Sequence, residues 1–335
     1  MAINPVFFNP KELHVGVAVD TSNVGTAASS FQMIETDSVS YPTFNDTIYE
    51  RRAGSGSGVV VDTGDIFVHQ KGNVIEVSVS GLMTDTLFPT LMSCALGTGT
   101  TSPWTVGANL TSNPTFEHGE TSGIDKTLCF AFNGAVANDN CIIPGCVVTS
   151  LTLSADANDD GGRMTFDLTA QSRTQVSAGG TTYGGSGASM TALSNDYVFL
   201  GDYSDNSSVD GLNILLKSFS LAIENPVVFG GFGGSAEEGS PQTYIRMVPE
   251  LGIVFNGVAK YDTNLDQLWE DHRDKSSMGG VTLSNHGTPG TATRLIEIEA
   301  GTVEELSWDE GDYLGLSFGI KARNGSTNTF RVTHT

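Results

Sequence analysis

Positive charge is what this chain has least of. Only 16 of its 335 residues are Lys or Arg, against 38 Asp or Glu, a formal charge of -22. A surface that negative repels a phosphate backbone, so gripping nucleic acid is excluded as a main task, whereas a wall along which DNA slides without sticking is compatible with it. Charged residues of both signs make up only 16%, too few for many long solvent-facing helices. Cysteine is scarce too. Cys94, Cys129, Cys141 and Cys146 fit no usual zinc spacing, and their apolar surroundings make them buried thiols. No apolar run is long enough to cross a bilayer as a helix. The opening Met1 to Pro5 has neither a basic nor an apolar leader region, so no signal peptide is expected and folding is expected in a cytosol. The Asn-x-Ser/Thr matches at Asn45, Asn109, Asn206 and Asn324 are then chance.

What the chain does have is glycine, 40 residues of it, with alternating Ser/Thr and aliphatic runs. That pattern favours short strands and many turns. Residues 41–58, with Tyr41, Arg51, Arg52 and a Gly/Ser tract, read as an extended arm, and 97–126, with Trp104, as a long polar loop. Gly58 to Val61 and Ile66 to Val68 read as a hairpin around 62–65, and 177–187 as the best boundary in the chain. The domain reading is 1–176, a Gly-rich linker at 177–190, and 191–335.

One unit recurs. Val74 to Ser80 alternates apolar and polar residues, Gly81 follows, then Asp85, Thr86 and an apolar helix from Leu87 to Leu96. Leu251 to Gly257, Asp262, Thr263 and a helix from Leu265 to His272 repeat that order. Asp85 or Thr86 is the expected cap of the first helix. Phe166, Leu168 and Ala170 match Phe318, Ile320 and Ala322 in a later strand of each half. Such a repeat denotes a building block rather than a reaction centre.

Motifs with chemistry are weak. Asp156, Asn158 and Asp160 imitate the start of a calcium loop, but the flanks are strands and position twelve is Asp167 where Glu is needed for bidentate grip, so a polar turn is expected. The glycine clusters lack the Lys-Ser/Thr or the acidic residue of phosphate cradles. The histidines are scattered and no nucleophile elbow is present, so neither an enzyme nor a cofactor is expected. Glu297 and Glu299 alternate with Ile296 and Ile298, giving one acidic strand face, and Glu76 holds a similar position in the first half.

The segment from Ile143 to Ser154 followed by Met164 to Leu168, and the run from Leu216 to Asn225 with a glycine-rich loop and Pro249 to Val258, resemble the major tail tube proteins of long-tailed bacteriophages. The similarity spans about residues 70 to 330. It implies an all-β fold with minor α: a duplicated β-sandwich or partly closed barrel flanked by short helices and long loops. It further implies rings stacked into a hollow tube that conducts DNA, six-fold or, with two copies of the fold per chain, three-fold. Implied partners are further copies of the chain and the tape measure, tail terminator and distal tail proteins, in a virion tail assembled in the host cytoplasm. On this reading Glu76, Glu297 and Glu299 line the lumen, and Tyr41, Arg51, Arg52 and Trp104 meet the next ring. Competing expectations are a decoration or carbohydrate-binding module, with aromatics such as Trp104, Tyr183 or Trp308 clustered in an exposed groove, and an acidic secreted hydrolase, which the missing leader and missing constellation disfavour.

Overall fold

Alternating runs of the sequence set most of what folds. The computed structural model describes residues 13–20, 27–39, 47–50, 66–69, 74–96, 115–118, 127–134, 140–173, 182–183, 187–225, 227–230, 243–246, 252–274, 280–288, 292–310, 314–323 and 330–334. The first half forms β1 (His14–Val19), β2 (Ser30–Met33), β3 (Thr36–Val39), β4 (Thr47–Glu50), β5 (Ile66–His69) and β6 (Val74–Leu82). Helix α1 (Leu87–Leu96) follows, then β7 (Thr115–His118), β8 (Leu128–Asn133), β9 (Cys141–Asp156) and β10 (Thr165–Arg173). Short pieces come next: β11 (Thr182–Tyr183), β12 (Ser189–Thr191), α2 (Gly201–Ser204), β13 (Ser208–Val209) and β14 (Leu212–Asn213). The second half has β15 (Leu216–Glu224), β16 (Val227–Gly230), β17 (Thr243–Arg246), β18 (Gly252–Lys260) and helix α3 (Thr263–Asp274). Its later strands are β19 (Val281–Ser284), β20 (Arg294–Ile298), β21 (Gly301–Glu310), β22 (Leu314–Ala322) and β23 (Phe330–His334).

The result is a mostly β structure with short helices and open sheets. Strands β3-β6-β10-β9-β15-β18-β22-β21 form one continuous antiparallel run. The sixteen-residue β9 bends at Gly145, where φ is 70°, and its first part joins a second layer, β12-β2-β1-β8. Asp20 holds that bend by accepting hydrogen bonds from the Gly145 amide at 2.9 Å and the Thr127 hydroxyl. A six-stranded sheet, β14-β13-β19-β20-β23-β7, completes the main layers, and β4–β5 and β16–β17 are separate ribbons. The inward faces merge into one apolar core running from Val15 to Val332. It includes Leu87, Phe88, Leu91, Met92, Cys94, Ala95 and Leu96 of α1 but only Leu265 and Leu268 of the charged α3.

Several expectations change here. Among the described residues the two large sheets are open and close no barrel. The 41–58 arm contains β4, which pairs with β5, so Ile66 to His69 finds its partner in Thr47 to Glu50. The 97–126 loop contains β7, which pairs with β23. Hydrogen bonding runs across the expected linker: β9 pairs with β15, and β12 with β2. Thr84, rather than Asp85 or Thr86, caps α1, accepting the Leu87 amide on Oγ1 at 3.3 Å. In α3 Asp262 does the corresponding work for the Leu265 amide, also at 3.3 Å.

The two strand–helix segments hold like positions in the long run. In the first half β6 lies between β3 and β10, and β10 lies beside β9; in the second, β18 lies between β15 and β22, and β22 lies beside β21. Phe166 faces Gly81 and Leu153, while Phe318 faces Gly257 and Leu306. Each unit also places its helix directly after the central strand, α1 after β6 and α3 after β18.

Candidate functional site

Strand pleating gives the eight-stranded run two unlike faces. One carries Ile75, Val77, Val79, Leu151, Leu153, Phe166, Leu168, Leu221, Phe255 and Phe318 into the core. The other carries Ser78, Ser80, Ser150, Thr152, Ser154, Thr165, Thr169, Ser218, Ser220, Asn256 and Ser317 outward. Short hydroxyls dominate it, linked to one another and to the backbone: Ser78 Oγ lies 3.4 Å from Thr169 Oγ1, and Thr165 Oγ1 donates to the Ser154 carbonyl at 3.3 Å. Acidic residues are spaced across it. Glu76 accepts a hydrogen bond from Gln171 at 3.1 Å, and Asp167, Glu224 and Glu305 are exposed. A groove of about 340 Å³ on this face is lined by Ser154, Asp156, Arg163, Ser218, Asn256 and Ser317. Phe219 is the lone aromatic among its lining residues, which is little for a sugar platform.

Of the three acidic candidates, Glu76 lies on this face. Glu297 lies in the six-stranded sheet, opposite Arg331, whose guanidinium it meets at 2.5 Å, so its charge is locally matched. Glu299 is exposed just beyond the end of β20. Sequence alternation revealed which side of their strands Glu76 and Glu297 occupy, but not which sheet each strand joins. Tyr41, Arg51, Arg52 and Trp104 lie outside the described residues. Tyr183 is on β11, beside Cys141. Trp308 stacks on Trp269 at 5.4 Å and meets Tyr261 edge-on at 4.9 Å.

The expected polar turn at 156–162 is formed as such. Asp156 Oδ1 accepts the Asn158 amide at 2.8 Å, Asp160 and Gly161 take positive φ of 44° and 67°, and Asp160 pairs with Arg163 at 3.1 Å. All four thiols are buried, and burial pushes Cys129 up to about 12 and Cys146 well above its ordinary value. They are inert as nucleophiles.

The chemically densest cluster was not legible in the sequence, because its members come from positions 85, 203, 294 and 334. Arg294 grips both oxygens of Asp85 at 3.1 and 3.2 Å and lies against the ring of His334. His334 Nε2 is 3.4 Å from Asp85, and its Nδ1 is 2.6 Å from the Tyr203 hydroxyl. Burial pushes the Tyr203 pKa up, so the hydroxyl stays protonated and donates. Burial also holds the His334 pKa below 6.5 against the upward pull of Asp85. The ring stacks on Phe88 at 4.2 Å between centroids. A carboxylate, imidazole and hydroxyl in series suggest a proton relay, but Arg294 saturates the carboxylate and aromatic rings close the site. What the cluster does is tie the start of α1 to β20 and β23.

No protein-family model matches this chain, and a comparison with curated proteins returns no match. Among the described residues no helix is long and apolar enough to cross a membrane.

Proposed function

We propose that this chain is a structural virion protein whose copies join as rings stacked into the hollow tail tube of a long-tailed bacteriophage. The observation that carries the reading is the way the two four-stranded units meet. Strand β9 of the first pairs with β15 of the second through seven residue pairs, Ser218 with Asp156 to Glu224 with Ser150. The unit's own outer strands thus join head to tail, the kind of contact that closes into a ring when the rotation permits. Among the described residues β3 and β21 pair on one side only, so the run ends in the same two kinds of edge that meet inside it.

Two units per chain give two sectors, and three chains supply a pseudo-six-fold ring. Its bore is lined by the hydroxyl-rich face with Glu76, Asp167, Glu224 and Glu305. Short neutral hydroxyls and spaced carboxylates outnumber the cations of that face, Arg163, Lys260 and Lys321, so DNA passes without sticking. Glu297, paired with Arg331, has no place in that lining. The carbohydrate-binding alternative predicts aromatics such as Trp104, Tyr183 or Trp308 in an exposed groove; Trp308 packs with Trp269 and Tyr261, outside the lining of the groove of about 340 Å³, whose aromatic is Phe219.

Negative-stain microscopy of the purified chain tests the reading. Rings or tubes of uniform bore with six sectors, together with a mass of three chains per ring, are expected. Monodisperse monomers across a wide concentration range refute it.

A further inference from the structure

The internal joint also predicts how two chains meet. Because Gly81 and Gly257 face Phe166 and Phe318 in the same register, residues of the two units correspond one to one. Leu306 stands where Leu153 does, Ser307 where Ser154 does, and Trp308 where Ala155 does. On the opposite edge Val39 corresponds to Leu221, Ser38 to Ser220, and Thr36 to Phe219.

At the internal joint these positions are sealed. Leu153 and Leu221 are 0% exposed, Ala155 5% and Phe219 3%. At the outer edges their counterparts are not: Val39, Val303 and Leu306 are only partly buried, and Trp308 is 43% exposed although it points to the core side. The sizes are complementary as well. The joint sets a small residue on β9 against a large one on β15, Ala155 against Phe219. The free edges carry the reverse, a large Trp308 on β21 and a small Thr36 on β3. A well-packed interface conserves total volume across facing positions.

We infer that β21 of one copy takes β3 of a second copy, antiparallel, with Ser307 opposite Ser38, Leu306 opposite Val39 and the Trp308 ring over Thr36. The inference rests on the ring reading and names the surfaces that close it. Charge favours this pairing over β21 against its own kind. Strand β21 carries Glu304 and Asp309, paired within the chain with Arg323 and Lys217, and Glu305, so self-pairing would set two acidic edges side by side, whereas β3 carries a single carboxylate, Asp37. Like charges directly opposite destabilise a strand pair.

Cross-linking tests the register. Ser38→Cys and Ser307→Cys are made separately and together, under mild oxidation, with the unmodified chain as control because its four cysteines are buried. The double variant is expected to give a covalent ladder, and a mixture of the two single variants a covalent dimer. Neither single variant cross-links alone. A dimer from Ser307→Cys alone means that β21 pairs with β21 and overturns the proposal. Rings in the microscope with no Ser38–Ser307 link overturn the register while leaving the ring reading intact. Monomers throughout end both. Packing provides a second test: Trp308→Ala is expected to raise the concentration needed for assembly at least ten-fold, with unchanged circular dichroism. Adding Thr36→Phe, which imitates the Ala155–Phe219 pair, should recover most of that loss. Assembly indifferent to Trp308→Ala refutes the seat.

Discussion

Glycine at 257 gives the sharpest quantitative test of how the repeated unit is packed. A methyl group there would lie 2.6 Å from Phe318 Cζ and 2.9 Å from Phe255 Cε1. Gly257→Ala should gain about 0.5–1 kcal/mol from reduced backbone freedom in the unfolded chain. Overpacking should cost about 1–3 kcal/mol, so the net loss is about 1 kcal/mol. Phe318→Leu removes roughly three buried ring carbons at about 0.8 kcal/mol each, about 2 kcal/mol. If the two acted independently, the double variant would lose about 3 kcal/mol. The new methyl group instead fills space that the missing ring tip leaves, so the double variant should lose only about 2 kcal/mol. That coupling of about 1 kcal/mol exceeds the ~0.3–0.5 kcal/mol scatter of additive pairs. Guanidinium titration followed by tryptophan fluorescence, at one fixed protein concentration, measures it. The first unit supplies the control. Gly81 faces Phe166 in the same register, but a methyl at Gly81 would run into the carbonyl oxygen of Glu35, which is backbone. Phe166→Leu should therefore give no relief to Gly81→Ala. Additive behaviour at 257 and 318, or rescue at 81 by Phe166→Leu, would refute this packing argument.

Other consequences follow from the buried polar groups. Burial holds His334 below its ordinary pKa of 6.5, so the unfolded chain takes up the proton first. Stability should fall as pH drops below 6.5 and level off below the folded value. For Asp85, burial alone would raise the pKa, but hydrogen bonds from His334 and Arg294 outweigh it and hold the group below 3.8. Its contribution therefore persists down to that range, and the decline starting near 6.5 belongs to His334. Melting temperature against pH should show a flatter slope in that window for His334→Gln, and an unchanged slope would contradict this. Asp20→Ala removes the acceptor of the Gly145 amide and the Thr127 hydroxyl at the bend of β9. At about 1.5–3 kcal/mol for a hydrogen bond to a charged group, the loss should exceed 2 kcal/mol in denaturant titration, with faster hydrogen exchange at the Gly145 amide.

Edge charge shows where sequence patterning runs out. Gly301 to Glu310 contains four carboxylates and forms β21, the end of the long run among the described residues. Charge is how an exposed edge avoids uncontrolled pairing, and it breaks the apolar–polar alternation by which strands are read. The missed piece β7 is short, and its pairing partner β23 lies more than two hundred residues away.

By itself the sequence determined the local periodicities: the alternating runs, the helix from Leu87 to Leu96, the turn at 156–162, the buried thiols and the matching of Phe166 with Phe318. These depend on neighbours within a few residues, where side-chain direction is fixed by strand or helix geometry. Tertiary structure alone decided which strands share a sheet, and with that the meaning of each charge. It separated Glu76 from Glu297, gathered Asp85, Tyr203, Arg294 and His334 into one cluster, and joined β9 to β15 so that eight strands make one continuous surface, with β3 and β21 at its ends among the described residues. Those outcomes depend on long-range pairing, where a strand's two edges are chemically alike and only the packed core selects the partner.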